Sequence, residues 1–418
     1  MTTDLSIGMD DHALFTPAIN ETFAKIAADK TGSTVHRKLP SARPPAALNY
    51  LDPKSPYFFY PAGLYSAAFG VYDTRATIIT KRDRAKTTII GDSGGFSAIS
   101  GALKEPYEAF RAKSLSWIEE QCDVGLILDD PTRSLEMPGN KSKTFQDCLD
   151  HTVESMRFAL TNRSRGDLIL LTVMQGRTAK EAKAWWPAVA KYQNDFEGIA
   201  LAGDTKLDLR LWMQALIEMR NAGRLDRCRW LHVLGTTRPD FGVQLTGLQR
   251  ALRKHLRMDF RVSFDSSLAF RIAQVNKQLT TGIRYDRKSM QFLRYTFPDH
   301  WSGMARQAPF PFSSPLGDLC MLGDFNPANP NSQTGWDTLG AQMLSNHEVF
   351  KEISALREVN RLAAAEVMPL GQTPWKIRKA WEGFDKILSS ETPMTEIARY
   401  GRFLGEAKPE EALEDDDR

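Results

Sequence analysis

"TTIIGDS", Thr87 to Ser93, is a run of strand length whose apolar centre gives way to an acid and a hydroxyl. The same form recurs downstream in "VGLILDD" (Val124 to Asp130), "LILLTVMQG" (Leu168 to Gly176), "GIALAGD" (Gly198 to Asp204), "WLHVLGT" (Trp230 to Thr236) and "FRVSFDSS" (Phe260 to Ser267). Aliphatic residues fill each run and polar or glycine residues close it, the pattern of a buried strand. Between the runs lie stretches of helical periodicity, among them "TFQDCLDHTVESMRFAL", "TAKEAKAWWPAVAKYQ" and "DLRLWMQALIEMRNAG", the last closed by a glycine in the stop position. Strand and helix alternating in this way make a parallel sheet, either open or closed into a barrel. The strand ends favour closure. Asp92 and Ser93, Asp129 and Asp130, Gln175 and Gly176, Gly203 and Asp204, Gly235, and Asp265 all fall there. In a β/α barrel every C-terminal strand end meets at one mouth, whereas an open sheet gathers only those beside its switch point. The expected fold is therefore α/β, a TIM-type (β/α)8 barrel with a helical C-terminal region.

Outward from this rhythm the chain divides into four parts. Residues 1–45 are mixed and broken by prolines, and are expected to be an N-terminal extension packing on the core. Residues 46–300 hold the barrel, whose core begins near "YFFYPAG" (Tyr57 to Gly63). Residues 301–405 open as a proline-rich loop and return to helical periodicity at "GWDTLGAQMLSNHEVFKEISALREVNRLAAAEVM". Residues 406–418 form an acidic tail. No internal repeat is visible.

With 42% hydrophobic and 25% charged residues, the composition is that of a folded protein and excludes disorder as the default. No run of about eighteen apolar residues exists, and "MTTDLSIGMDDHALF" carries acids where a signal peptide needs bases. A cytoplasmic protein without membrane contact is expected. Cys122, Cys148, Cys228 and Cys320 lie far apart and form no CxxC pair, so reduced thiols are expected rather than a disulfide framework. The net charge of +3 is unevenly placed. Seven acids against two bases in the tail leave +8 on the body. A basic body suits a polyanionic partner. Basic stretches occur at "TKRDRAK" (Thr80 to Lys86), "RYDRKSMQFLR" (Arg284 to Arg294) and "KIRKAW" (Lys376 to Trp381), each of which is also the composition of an ordinary solvated face.

"DSGGF", "LILDDPT", "TVMQG", "IALAG", "HVLG" and "SFDSSLAFR", arriving in this order, resemble the motifs of the tRNA-guanine transglycosylases and their DNA-modifying relatives. These enzymes exchange a guanine base in nucleic acid for a 7-deazaguanine. The resemblance is good from Gly91 to Arg271 and looser as far as His347. It implies a nucleophile at Asp265 and a general acid and base at Asp92. It further implies a base-reading acid at Asp129, a base-contacting glutamine at Gln175, and a backbone donor at Gly203. Leu234 and Gly235 would pack on the base. In "DSGGF", Gly94 and Gly95 would let the backbone approach the flat base, Phe96 would stack on its face and Ser93 would bond its edge. The chemistry needs no cofactor, because one glycosidic bond replaces another through an enzyme intermediate.

Two departures bear on the substrate. The family carries a structural zinc on a CxCxxC cluster and a later histidine. Here "DLCMLG" keeps only Cys320, although "LGAQMLSNHE" matches the histidine at His347. Tetrahedral zinc wants four ligands, and the expectation is no metal. "SSLAFR" also replaces the family's sequence after the nucleophile. Both traits resemble the virus-encoded, phage-type DNA-modifying branch, so DNA is the expected polymer and tRNA the alternative. Rival readings are a catalytically idle nucleic-acid-binding barrel and a nucleoside hydrolase with water as second nucleophile.

Overall fold

A computed structural model describes residues 3–95, 97, 105–137, 142–285, 290–297, 307–325, 336–364 and 375–405. Among these, eight strands form one parallel sheet: β1 (Leu14–Pro17), β2 (Ala62–Ser66), β3 (Thr88–Asp92), β4 (Val124–Leu126), β5 (Ile169–Met174), β6 (Gly198–Leu201), β7 (Trp230–Val233) and β8 (Arg261–Ser266). They pair in the order β1-β8-β7-β6-β5-β4-β3-β2. The two edges meet, Ala18 bridging Leu64 and the Ile19 N–H reaching the Leu64 carbonyl at 2.9 Å. The sheet thus curls into a nearly closed barrel of TIM type. All six runs quoted above are strands, β3 to β8.

Five long helices return the chain between strands: α1 (Tyr107–Gln121), α2 (Phe145–Asn162), α3 (Ala179–Ala190), α4 (Leu209–Asn221) and α5 (Pro239–His255). Their starts are written locally. Thr144 and Asp147 make a reciprocal capping box on α2, Thr178 accepts the Glu181 N–H on α3, and Asp208 accepts the Leu211 N–H on α4. Proline opens α5, and Arg253, Lys254 and His255 end it where the helix dipole favours cations. The helices cover the barrel with indoles whose N–H groups stay bonded: Trp185 donates to the Val173 carbonyl at 2.9 Å and Trp212 to the Thr205 carbonyl at 2.7 Å.

After β8 the chain makes a short helix (Leu268–Arg271) and an antiparallel hairpin of β9 (Gln278–Tyr285) and β10 (Met290–Thr296). Then α6 (Thr338–Ala364) packs on α5 and on Leu268–Arg271, where an eighth barrel helix would lie. Helix α7 (Trp375–Ser389) docks on α5, Trp381 Nε1 donating to the Val243 carbonyl at 2.9 Å, and α8 (Pro393–Tyr400) follows it. Among the described residues no helix is long and apolar enough to cross a membrane. The acidic tail lies outside the described residues.

The N-terminal extension expected over residues 1–45 is corrected by β1, which lies inside it and fills the gap between β8 and β2. Its four residues, Leu14 to Pro17, are too few to carry a period and close on a proline. Two of the basic stretches are structural. In "TKRDRAK", Arg82 is held by Asp123 at 2.7 Å and by the Thr87 and Gln121 carbonyls, at the N-terminal ends of β3 and β4 and so opposite the mouth. In "KIRKAW", Trp381 docks α7 and Lys379 pairs with Glu382.

Candidate active site at the barrel mouth

Asp92 ends β3 and Asp265 lies in β8, with β1 and β2 between them in the sheet. Electrostatic contact between these two carboxyl groups therefore crosses the lumen. Asp92 accepts hydrogen bonds from the Ser66 hydroxyl and the Gly94 N–H, yet burial, reinforced by the like charge of Asp265, raises its carboxyl above the ordinary range. Asp265 is buried. Its Oδ1 accepts the Gly235 N–H at 2.8 Å and lies 3.3 Å from His232 Nε2. Gly235 sits at φ +57°, a left-handed conformation, and a Cβ built there would stand 3.1 Å from Lys206 Nζ. Lys206 thus brings a cation to the nucleophile side of the mouth.

The neighbours Asp129 and Asp130 face different partners. Asp130 bonds His151 Nδ1 at 2.8 Å and the Ser142 hydroxyl. Asp129 turns to Gln175, its Oδ2 accepting the Gln175 amide N–H at 3.1 Å. Burial, then the charges of Asp92 and Asp130, push the Asp129 carboxyl up to about 8. The charge of Asp265 thus acts on Asp92, and that of Asp92 on Asp129, which sets the three carboxyls around one mouth.

Gln175 differs from expectation. Its Nε2 also donates to the Asp130 carbonyl at 3.1 Å, and its Oε1 accepts the Thr132 N–H at 2.9 Å. Both donors and the oxygen are engaged, as a fully buried amide requires, so Gln175 clamps Asp129 instead of presenting a free amide to a base.

The two glycines of "DSGGF" also do other work than expected. A Cβ on Gly95 would lie 2.6 Å from both the carbonyl oxygen and Oδ1 of Asp129, and one on Gly94, at φ +80°, would lie 2.9 Å from the Ala68 Cβ. The space beside them is taken by protein, and it is Asp129 that needs Gly95 to be bare. Gly203, at φ +69°, rests against Gly176, its virtual Cβ 3.0 Å from the Gly176 nitrogen, which brings β6 to the Gln175 clamp. Ser93 is fully buried and its Oγ has no partner among the described residues. Leu234 is half-buried beside Gly235. Phe96 lies outside the described residues.

Cys320 and His347 are each held by neighbouring protein groups. Burial pushes the Cys320 thiol up to about 12, and it donates to the Leu316 carbonyl at 3.2 Å. His347 bonds the Ser314 hydroxyl through Nδ1 at 2.8 Å, packs its ring on Phe310, and is driven by burial down to about 3. Among the described residues no group of three or more His, Cys, Asp or Glu side chains could hold a metal ion.

Sequence reasoning missed Ser66, Lys206, and the pair His232 and Ser263. Ser66 sits on a strand not recognised as one. His232 and Ser263 each carry a signal, a polar residue at an alternate position inside an otherwise apolar strand. As chemistry, the mouth offers one carboxyl disposed to hold a proton, a second fixed by a backbone donor, and a third clamped by a buried amide. That set suits proton transfer and nucleophilic attack at one carbon. Compared with known proteins, the chain matches no family model and no curated sequence.

Proposed function

We propose that this barrel exchanges guanine in a nucleic acid for a 7-deazaguanine by double displacement, with DNA as the polymer. The observation that carries the reading is the pair Asp92 and Asp265, on strands far apart in the sheet yet coupled across one mouth. In the first half, a carboxylate oxygen of Asp265 bonds the anomeric carbon as the bond from that carbon to the guanine nitrogen breaks. Asp92, whose raised pKa suits it to carry a proton, delivers that proton to the departing purine. In the second half, Asp92 takes a proton from a ring nitrogen of the incoming 7-deazaguanine, that nitrogen attacks the same carbon, and Asp265 leaves as carboxylate. Two inversions retain configuration, and no energy source is needed because one N-glycosidic bond replaces another.

Recognition centres on Asp129. Guanine's Watson–Crick edge presents two donors beside a carbonyl, and the Gln175 clamp fixes Asp129 as their acceptor. Against the ionised carboxylate, which is the form that two guanine donors select, adenine would set an acceptor, which is unfavourable. The target nucleotide must be flipped out of a duplex or lie in a single strand to reach the mouth. Lys206, beside Gly235, would hold a phosphate there. DNA is favoured over tRNA because the chain keeps only Cys320 of the family's cysteine cluster and differs after Asp265.

The test offers labelled guanine, or 7-cyano-7-deazaguanine, with duplex DNA, single-stranded DNA and tRNA in parallel. Label is expected in DNA. Asp265→Ala abolishes incorporation, and Asp92→Asn slows both halves by about a hundredfold or more. Label entering only tRNA moves the reading to the other polymer, and free guanine released without an acceptor base makes the enzyme a hydrolase. A fully active Asp265→Ala protein removes the nucleophile.

A further inference from the structure

We infer that His232 is a positioning residue, which donates from Nε2 to Oδ1 of Asp265 and takes its tautomer from a Trp230–Ser263 relay behind it. The inference rests on the reading of Asp265 as nucleophile. Three buried polar groups on β7 and β8 line up toward that carboxyl: Trp230 Nε1 lies 2.7 Å from Ser263 Oγ, Ser263 Oγ lies 2.8 Å from His232 Nδ1, and His232 Nε2 lies 3.3 Å from Asp265 Oδ1. The register makes this possible, since β7 and β8 pair Ser263 with His232 and Arg261 with Trp230. His232 and Ser263 are fully buried and closed off from bulk solvent.

The direction of each hydrogen bond follows from the donor inventory. An indole N–H only donates, so Ser263 accepts from Trp230. The hydroxyl has one proton, and among the described residues the acceptor facing it is His232 Nδ1. A ring that accepts at Nδ1 carries its proton at Nε2, toward Asp265. The opposite tautomer would set a lone pair of Nε2 against Oδ1 and leave the serine proton buried without an acceptor, and a doubly protonated ring would orphan the same proton. The Nε2 contact is within reach but off the hydrogen-bond direction, as catalytic hydrogen bonds often are before substrate binds and tightens them.

With His232 and the Gly235 N–H both on Oδ1, Asp265 presents Oδ2 to the anomeric carbon. Two donors on one oxygen fix the plane of the carboxylate and leave the other oxygen the free nucleophile. Losing one of them lets the carboxylate turn, which lowers the frequency of attack geometry without touching the polymer.

The experiment has two arms. In protein labelled with 15N-histidine, the His232 resonance is identified by its loss in His232→Leu, and its nitrogen shifts are expected to show the proton on Nε2, with Ser263→Ala relaxing that preference. In kinetics, His232→Leu is expected to lower kcat on the order of tenfold to a hundredfold with KM for the polynucleotide unchanged. His232→Gln, whose amide can accept from Ser263 and donate to Asp265, restores most of it. A ring protonated at Nδ1, or a folded His232→Leu enzyme exchanging at the wild-type rate, overturns the assignment. Should His232→Leu not fold, Ser263→Ala carries the same kinetic test. A wild-type protein that exchanges no base overturns the proposed function, while the tautomer measurement, which needs no substrate, still decides the relay.

Discussion

Gly95 and Asp129 show how narrowly a single side chain is specified at this mouth. A methyl group on residue 95 would meet the Asp129 carbonyl oxygen and Oδ1 at 2.6 Å, a distance that backbone on both sides cannot yield cheaply. Gly95→Ala is expected to lower stability by about 1–3 kcal/mol and to weaken guanine binding at least tenfold, seen by thermal unfolding and by calorimetric titration with the free base. The same carboxyl predicts a proton count. With its pKa pushed up to about 8, Asp129 is largely protonated at neutral pH, and a base that offers it two donors favours the ionised form. Guanine binding at pH 7 should therefore release close to one proton. That release appears as a dependence of the binding enthalpy on the buffer's ionisation enthalpy, and it vanishes in Asp129→Asn.

At the scale of elements, β1 is the piece on which the site's integrity turns. It pairs with β8 in a register that sets Thr16 opposite Asp265, so without it β8 becomes an open edge next to the nucleophile. Removal of residues 1–17 is expected to abolish cooperative unfolding and promote aggregation, measured by denaturant titration and light scattering. The basic loop before β3 behaves differently. Arg82 is spent on Asp123 and two carbonyls at the far end of the barrel, its side chain only 1% exposed. Arg82→Ala is expected to destabilise by about 1–3 kcal/mol, because the Thr87 and Gln121 carbonyls lose a buried donor whereas the partly exposed Asp123 keeps Arg84 at 3.4 Å, while the salt dependence of polynucleotide binding stays as in the wild type.

For the whole molecule, buried acids set the response to pH. Burial raises Asp129 to about 8, Glu348 to about 7 and Glu352 to about 8, the last two on α6 facing Arg294 of β10. Each group binds its proton more tightly folded than unfolded, where the values are 3.8 for Asp and 4.5 for Glu. Between those limits the folded state holds the extra protons, so stability falls as pH rises through this window. Glu352→Gln should raise Tm relative to the wild type at pH 9 and give no such gain at pH 4. Charge also governs association. A body of +8 with Lys206 at the mouth predicts that polynucleotide affinity falls steeply between about 50 and 200 mM salt, and that Lys206→Ala reduces the salt slope by about one.

The strands β3 to β8 were legible in the chain because a strand buried on both faces must be apolar and its end must become polar where it leaves the core, a rule that acts residue by residue. The same rule located Asp92, Asp129, Gln175, Gly203, Gly235 and Asp265 at strand ends. Strand β1 was not legible, since four residues cannot display a period and its place between β8 and β2 follows from barrel closure alone. Nor could the chain say that Gln175 is engaged on Asp129, that Gly95 makes room for Asp129, or that Trp230, Ser263 and His232 line up on Asp265. Those facts depend on which atoms of distant segments fill the same few ångströms, and packing of that kind exists only once the sheet has closed.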